Sequence, residues 1–165
     1  MQRNATILAL ALLAGTTAAW AAGGGGGEGT AAKETPADPV IVSAKAAIEQ
    51  QDWAAAQAGL KQALADSPGN ADYHNLYAYS VRKAPNPDMD LVFTHYREAL
   101  RLNPKHRGAH EYIGEAYLQV GDLPRAREHL ATLDRLCFFG CEEYTDLKKA
   151  VASYEATRNA QAPKQ

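Results

Sequence analysis

Residues 114–126 read GEAYLQVGDLPRA, and this stretch decides the fold. The stretch begins with a small residue, Gly114, and the turn signal Gly121-Asp122 follows seven residues later. The Asp122 carboxylate can cap a new helix, and Pro124 stands in the first turn of that helix, where its missing N–H leaves no hydrogen bond unmade. The segment therefore predicts two helices joined by a tight turn.

The same pair of helices recurs three times along the chain. The second helices of the three pairs align at separations of 36 and then 34 residues, and the residues at most aligned positions are similar in type. The aligned residues are Asp52, Asp88 and Asp122; Trp53, Met89 and Leu123; Ala56, Val92 and Ala126; and Leu60, Tyr96 and Leu130. The first helices align at Ala44, Ala78 and Gly114, which predicts a two-residue insertion in the loop at residues 83–87. Repetition at this period indicates stacked helical hairpins.

The period and the residue types resemble the tetratricopeptide repeat family. Residues 114–126 match it best, and residues 53–68 match the second half of a unit. The chain departs from the family pattern at Val92, where alanine is usual, and in the third unit, which has no closing proline. The resemblance covers roughly residues 37–138. It implies an all-α fold in which three stacked helix-turn-helix repeats form a right-handed α-solenoid.

The chain divides into a leader, a linker, a repeat domain and a tail. The leader combines Arg3, an apolar run too short to span a bilayer and the small residues around Ala21, which is typical of a secretory signal peptide cleaved after Ala21. The expected boundaries are 1–21 for the signal peptide, 22–36 for a glycine-rich flexible linker, 37–158 for the domain and 159–165 for a disordered tail. Within the domain we expect repeats at about 37–70, 71–106 and 107–138 and a capping helix at about 142–158. We therefore expect a periplasmic or secreted protein with no stable membrane span after cleavage.

Composition and motifs argue against several functional classes. The net charge is −2, and no block of five or more basic residues occurs, so the electrostatic footprint of a nucleic-acid-binding protein is missing. Neither a Gly-x-Ser-x-Gly elbow nor a His-Glu-x-x-His zinc motif is present. We interpret the acidic residues Glu111, Glu115, Glu142 and Glu143 as solvated helix faces. The sequence therefore predicts a protein that is not an enzyme and uses no cofactor.

The resemblance implies a binding function. In this family the first helices of the repeats line a concave groove that accepts a polypeptide, so we expect an exported scaffold or adaptor with a protein or peptide partner. By register, the groove-facing residues are Ile41, Lys45, Ile48, Asn75, Tyr79, Arg82, Glu111, Tyr112 and Glu115. The family's version that clamps a C-terminal carboxylate needs basic residues in the third unit, where this chain has Glu111 and Glu115. A polar or basic segment is therefore favoured, and self-association through exposed repeat faces stays open.

The two cysteines, Cys137 and Cys141, support two hypotheses. An even pair in an exported protein indicates a disulfide, which would fix the junction between the third repeat and the capping helix. The alternative is a thiol-redox or metal-carrying site, although no third ligand is evident from the sequence. His106 and His110 are four residues apart, which predicts that both imidazoles lie on one helical face. We interpret the histidines as packing residues, with His74 and His110 at corresponding places in successive repeats.

Overall fold

The structure is a computed structural model that describes residues 37–161, and this range contains seven α-helices. No strand occurs among these residues, so the all-α prediction is confirmed. The helices are α1 (Pro39–Glu49), α2 (Trp53–Asp66), α3 (Ala71–Lys83), α4 (Met89–Leu102), α5 (Arg107–Gln119), α6 (Leu123–Leu136) and α7 (Glu142–Gln161). The predicted signal peptide, the linker up to residue 36 and residues 162–165 of the predicted tail lie outside the described residues.

Side-chain caps begin the helices where the sequence places short polar residues. Asp52, Asp88 and Asp122 each accept a hydrogen bond from the backbone N–H three residues later, at 3.0 to 3.1 Å. These bonds satisfy donors that have no partner inside the helix. Asp38 caps α1 by accepting from the Val40 N–H at 2.8 Å, and it also accepts a hydrogen bond of 2.7 Å from the Tyr73 hydroxyl. The first cap therefore also links the first repeat to the second.

Small residues are buried where paired helices approach each other. Three hairpins form, α1 with α2, α3 with α4 and α5 with α6, and the first helices α1, α3 and α5 lie side by side. The alanines that the repeat alignment singled out are almost completely buried, with Ala56 at 1% and Ala78 and Ala126 at 0% exposure. Val92, the departure from the family pattern, is also fully buried. Close backbone approach thus explains why these positions carry small residues.

The final helix, α7, packs against both helices of the third repeat. Leu147 and Val151 are its buried residues, and Leu147 has 0% exposure. A Cβ added at Gly114 of α5 would lie 2.6 Å from Leu147 Cδ2, so glycine makes room for this leucine. The helix continues to Gln161, three residues beyond the predicted boundary, because Asn159-Ala160-Gln161 contains neither glycine nor proline to end it. Within residues 37–161, no helix has the length and apolarity that crossing a membrane requires.

Candidate binding groove

One cavity lies along the first helices and is bordered by α7. We call it the central groove; its volume is about 630 Å³. It is lined by Ile41, Lys45, Asp72, Asn75, Leu76, His106, Gly108, Glu111, Tyr112, Glu142, Glu143 and Asp146. A smaller cavity of about 210 Å³, lined by Ile48, Glu49 and Tyr79, shares Lys45, Leu76 and Tyr112 with it. The helices α1, α3, α5 and α7 therefore all contribute to one lined surface.

The structure brings most of the predicted groove residues together. Of these residues, Ile41, Lys45, Asn75, Glu111 and Tyr112 line the central groove, and Ile48 and Tyr79 line the adjoining cavity. The rings of Tyr79 and Tyr112 have their centroids 4.7 Å apart, so they form an aromatic contact between the second and third repeats. Burial raises the pKa of both phenols.

Two predicted groove residues lie elsewhere. Arg82 donates to Glu115 at 2.7 Å and to the Tyr96 hydroxyl at 3.4 Å, and it is only 8% exposed. Together with Glu115 it borders a separate surface pocket that α7 helps to line. Because its guanidinium already has partners within the solenoid, Arg82 serves as an internal ion-pair residue and is not an open anchor in the central groove.

Glu111 contradicts the interpretation of the acidic residues as a solvated face. It is only 9% exposed, whereas Glu142 is open to solvent. Burial, reinforced by nearby carboxylates of α5 and α7, raises the pKa of Glu111 to about 8. The sequence interpretation failed because it considered α5 alone, whereas in the fold the carboxylates of α7 lie near this side chain and residues of α3 and α7 line the same groove.

The acidic wall supplied by α7 was missed from the sequence. Glu142, Glu143 and Asp146 line the central groove, and Asp72 of α3 lies on the same surface. The spacing of three and four residues between the α7 carboxylates places them on one helical face, which is the signal that could have revealed them. Arg107 Nε lies 3.5 Å from Glu143 Oε1, and Lys149 Nζ lies 3.0 Å from Asp146 Oδ1.

Comparison with known proteins identifies the repeats. A family model described as "Tetratricopeptide repeat" matches residues 42–88 and 94–137. The chain belongs to the tetratricopeptide repeat family. Members of this family bind protein or peptide partners, so the fold is that of a protein–protein interaction scaffold.

Several individual proteins are similar to parts of this tetratricopeptide array. The inactive TPR repeat-containing thioredoxin TTL3 of Arabidopsis thaliana is 29% identical over 89 residues, which are 53% of this chain and only 12% of that protein. The solved complex of the yeast Sti1 TPR2B domain with pHsp70 aligns with a TM-score of 0.63 and 16% identity, covering 72% of this chain and 95% of that one. A thermophilic TPR protein of Thermus thermophilus aligns with a TM-score of 0.61 and 19% identity over 76% of this chain and 68% of its own.

Two histidine pairs occupy equivalent positions in successive tetratricopeptide repeats. His74 Nδ1 lies 2.8 Å from His95 Nδ1, and His110 Nδ1 lies 2.9 Å from His129 Nδ1. The Nε2 atoms of His74 and His110 each face the backbone carbonyl of the proline that closes the preceding repeat. Because a carbonyl only accepts, Nε2 carries the proton and, in a neutral pair, Nδ1 accepts from the partner histidine. The first member of each pair is the histidine that the sequence predicted as a packing residue, and the second member was not predicted.

The prediction that His106 and His110 share one helical face is wrong. His106 precedes the first helical residue of α5, and its Nδ1 accepts from the Ala109 N–H at 3.1 Å as the helix cap. Its Nε2 lies 3.1 Å from an Asp72 carboxylate oxygen. The His110 ring instead turns toward His129. The two imidazoles therefore have different partners and form no common ligand site.

A disulfide joins Cys137 and Cys141 at the junction of α6 and α7, where the family's closing proline is missing. Their Cα atoms lie 5.5 Å apart. A third possible metal ligand, which the sequence did not reveal, lies beside the cysteines. A Glu143 oxygen and the two sulfurs lie within 4.8 Å of one another. Thiolates bind soft metals, and the disulfide leaves neither sulfur as a thiolate. Between the cysteines, Phe138 and Phe139 are 87% and 97% exposed.

Proposed function

We propose that this protein is an exported interaction module that holds a polypeptide segment in the central groove. The observation that carries the proposal is the groove itself, because a cavity of about 630 Å³ is lined by side chains from three successive repeats and α7. Exposed peptide-sized clefts with aromatic and polar lining are typical binding sites. The Sti1 complex supplies an analogy, since a domain of similar fold was solved with a partner.

The charge of the groove favours a polar or basic segment over a chain-terminal carboxylate. Its lining includes four carboxylates besides Glu111, namely Asp72, Glu142, Glu143 and Asp146, whereas Lys45 is the lysine among the lining residues. A bound carboxylate would meet repulsion from these groups, and a basic side chain would be attracted to them. The partner we propose is therefore a protein with an accessible basic or polar stretch.

The tyrosine pair provides the test of groove binding. A random peptide library displayed on phage is selected against the wild-type protein, and the affinities of the selected peptides are measured. We expect Tyr79→Ala combined with Tyr112→Ala to weaken them by about 30-fold or more, because aromatic anchors at an interface centre contribute about 2 kcal/mol or more.

The exposed phenylalanines provide a matched control for this test. Phe138→Ala with Phe139→Ala also removes two aromatic rings, and neither residue lines the central groove. We expect that variant to retain peptide binding, and circular dichroism should show both variants folded. Retained binding in the tyrosine variant, with loss in the phenylalanine variant, would move the binding site to the disulfide loop.

Export is proposed from residues 1–21, and it predicts a specific mass. Intact protein recovered from the periplasm or the medium should begin at Ala22 and be two hydrogens lighter than the fully reduced chain, with no uptake of a thiol label at Cys137 or Cys141. The disulfide closes a short loop, so its entropic stabilisation is at the low end of the usual ~2–4 kcal/mol. Label uptake in exported protein would instead favour the thiol-redox or metal-carrying alternative.

A further inference from the structure

The side chain of Glu111 is largely buried, and its carboxyl oxygens, which reach the central groove, have no protein partner within the described residues. It is 9% exposed and lines the central groove. Among the hydrogen bonds and ion pairs of residues 37–161, none reaches its side chain, while Glu115, one turn further along α5, is paired with Arg82. Buried carboxylates in proteins are ordinarily paired or hydrogen-bonded. The absence of a partner in this part of the chain indicates that one can come from outside.

A second buried acceptor faces the same groove. Asn75 is 5% exposed, and its Oδ1 is the one buried side-chain polar atom without a hydrogen-bond partner within the part of the chain that the structure describes. Asn75 and Glu111 are 36 residues apart and hold equivalent positions in the second and third repeats. Two equivalent first-helix positions therefore each place an oxygen without a protein partner beside one cavity, a buried amide oxygen at Asn75 and a carboxyl group that reaches the groove at Glu111. A buried acceptor without a hydrogen bond destabilises the empty protein, and a hydrogen bond from a ligand donor would remove that cost.

The remaining lining selects the kind of donor. Asp72, Glu142 and Asp146 add negative charge around the cavity, which favours a cation over a neutral donor. Apolar surface from Ile41, Leu76 and Tyr112 lies beside these carboxylates. A lysine or arginine side chain combines both requirements, because its methylene stem packs on apolar surface while its head group donates hydrogen bonds.

A bare metal ion fits the groove less well. Within residues 37–161, the one group of three His, Cys or carboxylate ligand atoms lying within 4.8 Å of one another is at Cys137, Cys141 and Glu143. The oxygens around Glu111 do not form such a set. Divalent cations bound by proteins take several oxygen ligands at short distance. An organic cation needs fewer and more widely spaced acceptors, so it is the better match.

We propose that Asn75 and Glu111 form a subsite that binds the ammonium or guanidinium group of a lysine or arginine in the bound polypeptide, with the side-chain stem lying on Leu76 and Tyr112. This inference rests on the proposed function of the groove. Burial raises the pKa of Glu111 in the empty groove, and a cation beside it stabilises the ionised carboxylate, so binding favours ionisation of this group. The subsite specifies which side chain is recognised, and the tyrosine pair supplies contact area around it.

The experiment uses the phage-displayed random peptide library at pH 8, followed by synthetic peptides with acetylated and amidated ends. We expect selected peptides to be enriched in lysine or arginine, and replacing the key lysine with norleucine to weaken binding at least about tenfold, since a lost buried charge pair has an effect of this size or larger. Glu111→Gln should cause a similar loss for the lysine peptide and little change for the norleucine peptide. Asn75→Ala should weaken the lysine peptide in the same direction.

A control variant and the failing outcomes separate the two proposals. Glu128→Gln removes an exposed carboxylate on α6 outside the groove, and binding should be unchanged. Peptides that depend on Tyr79 and Tyr112 but show no basic enrichment, or that bind Glu111→Gln as tightly as wild type, would overturn the cation subsite and leave groove binding intact. Failure to select any tyrosine-dependent peptide would overturn the proposed function itself.

Discussion

Leu147→Ala is expected to lower the free energy of unfolding by about 3–4 kcal/mol, which is typical of a leucine removed from a rigid core. Leu147 has 0% exposure and is the α7 residue that fills the space above Gly114. Its removal leaves a cavity between α5 and α7 that neither helix can close without shifting. Urea denaturation followed by circular dichroism measures the change, and a midpoint shift with an unchanged slope would show that the native state alone is affected.

The glycine beneath Leu147 supplies the controls for this experiment. Gly114→Ala places a methyl group 2.6 to 2.8 Å from the Leu147 methyl carbons, so overpacking should outweigh the ~1 kcal/mol that alanine adds in a helix. Gly59→Ala in α2 meets nothing within 4 Å and should be neutral or stabilising. Combining Gly114→Ala with Leu147→Ala should cost less than the two separate effects together, because the new methyl partly fills the cavity. A loss below about 1 kcal/mol for Leu147→Ala would contradict the packing of α7 on α5.

Glu111→Gln is expected to stabilise the folded protein at pH 8 by roughly 3 kcal/mol relative to wild type. The pKa of Glu111 is raised from 4.5 to about 8 in the folded state, so the unfolded chain ionises it first. Between about pH 4.5 and pH 8 the folded state holds one more proton, and stability falls as pH rises, by at most about 1.4 kcal/mol per pH unit. The full pKa shift would correspond to a free energy larger than the roughly 3 kcal/mol expected. The expected effect is smaller because water in the open groove screens the carboxyl group.

The difference between the two proteins isolates Glu111 from other titrating groups. Burial lowers the pKa of His110 and lowers that of His129 to about 4. These histidines therefore reduce the stability of the folded protein as pH falls below 6.5, which is opposite to the pH dependence from Glu111. These losses occur in both proteins and cancel when the variant is compared with wild type. The two stability curves should converge near pH 4 and separate steadily toward pH 8. Parallel curves across this range would mean that Glu111 is ionised in the folded state like an ordinary surface glutamate.

Local sequence patterns were sufficient to predict the helices and the repeats. The capping residue Asp122 and its aligned counterpart Asp52 predicted helix starts that the structure contains, and the aligned positions Ala56 and Ala126 are buried as the repeat pattern implies. Such predictions depend on contacts within a turn or between neighbouring helices. Both kinds of contact leave a periodic signature in the amino-acid sequence, so the fold class follows from them.

The chemistry of the groove was predicted less well. The sequence identified most of the lining on α1, α3 and α5, but Arg82 is paired with Glu115, and the position of the α7 carboxylates in the groove lining was not predicted. Histidines His95 and His129 were overlooked because their partners lie on the preceding helix. A helix considered alone shows which residues share a face, and it does not show what covers that face.

The sequence by itself determined the all-α class, the three helix pairs, the capping helix and the family, because short-range periodicity and the 34- to 36-residue repeat encode them directly. Only the tertiary structure decided that Glu111 and Asn75 are buried without partners among the described residues and that α7 closes the groove with negative charge. The reason is that burial and electrostatic potential are sums over side chains from distant segments. Those segments come into contact only when the hairpins stack, and local sequence patterns do not show these contacts.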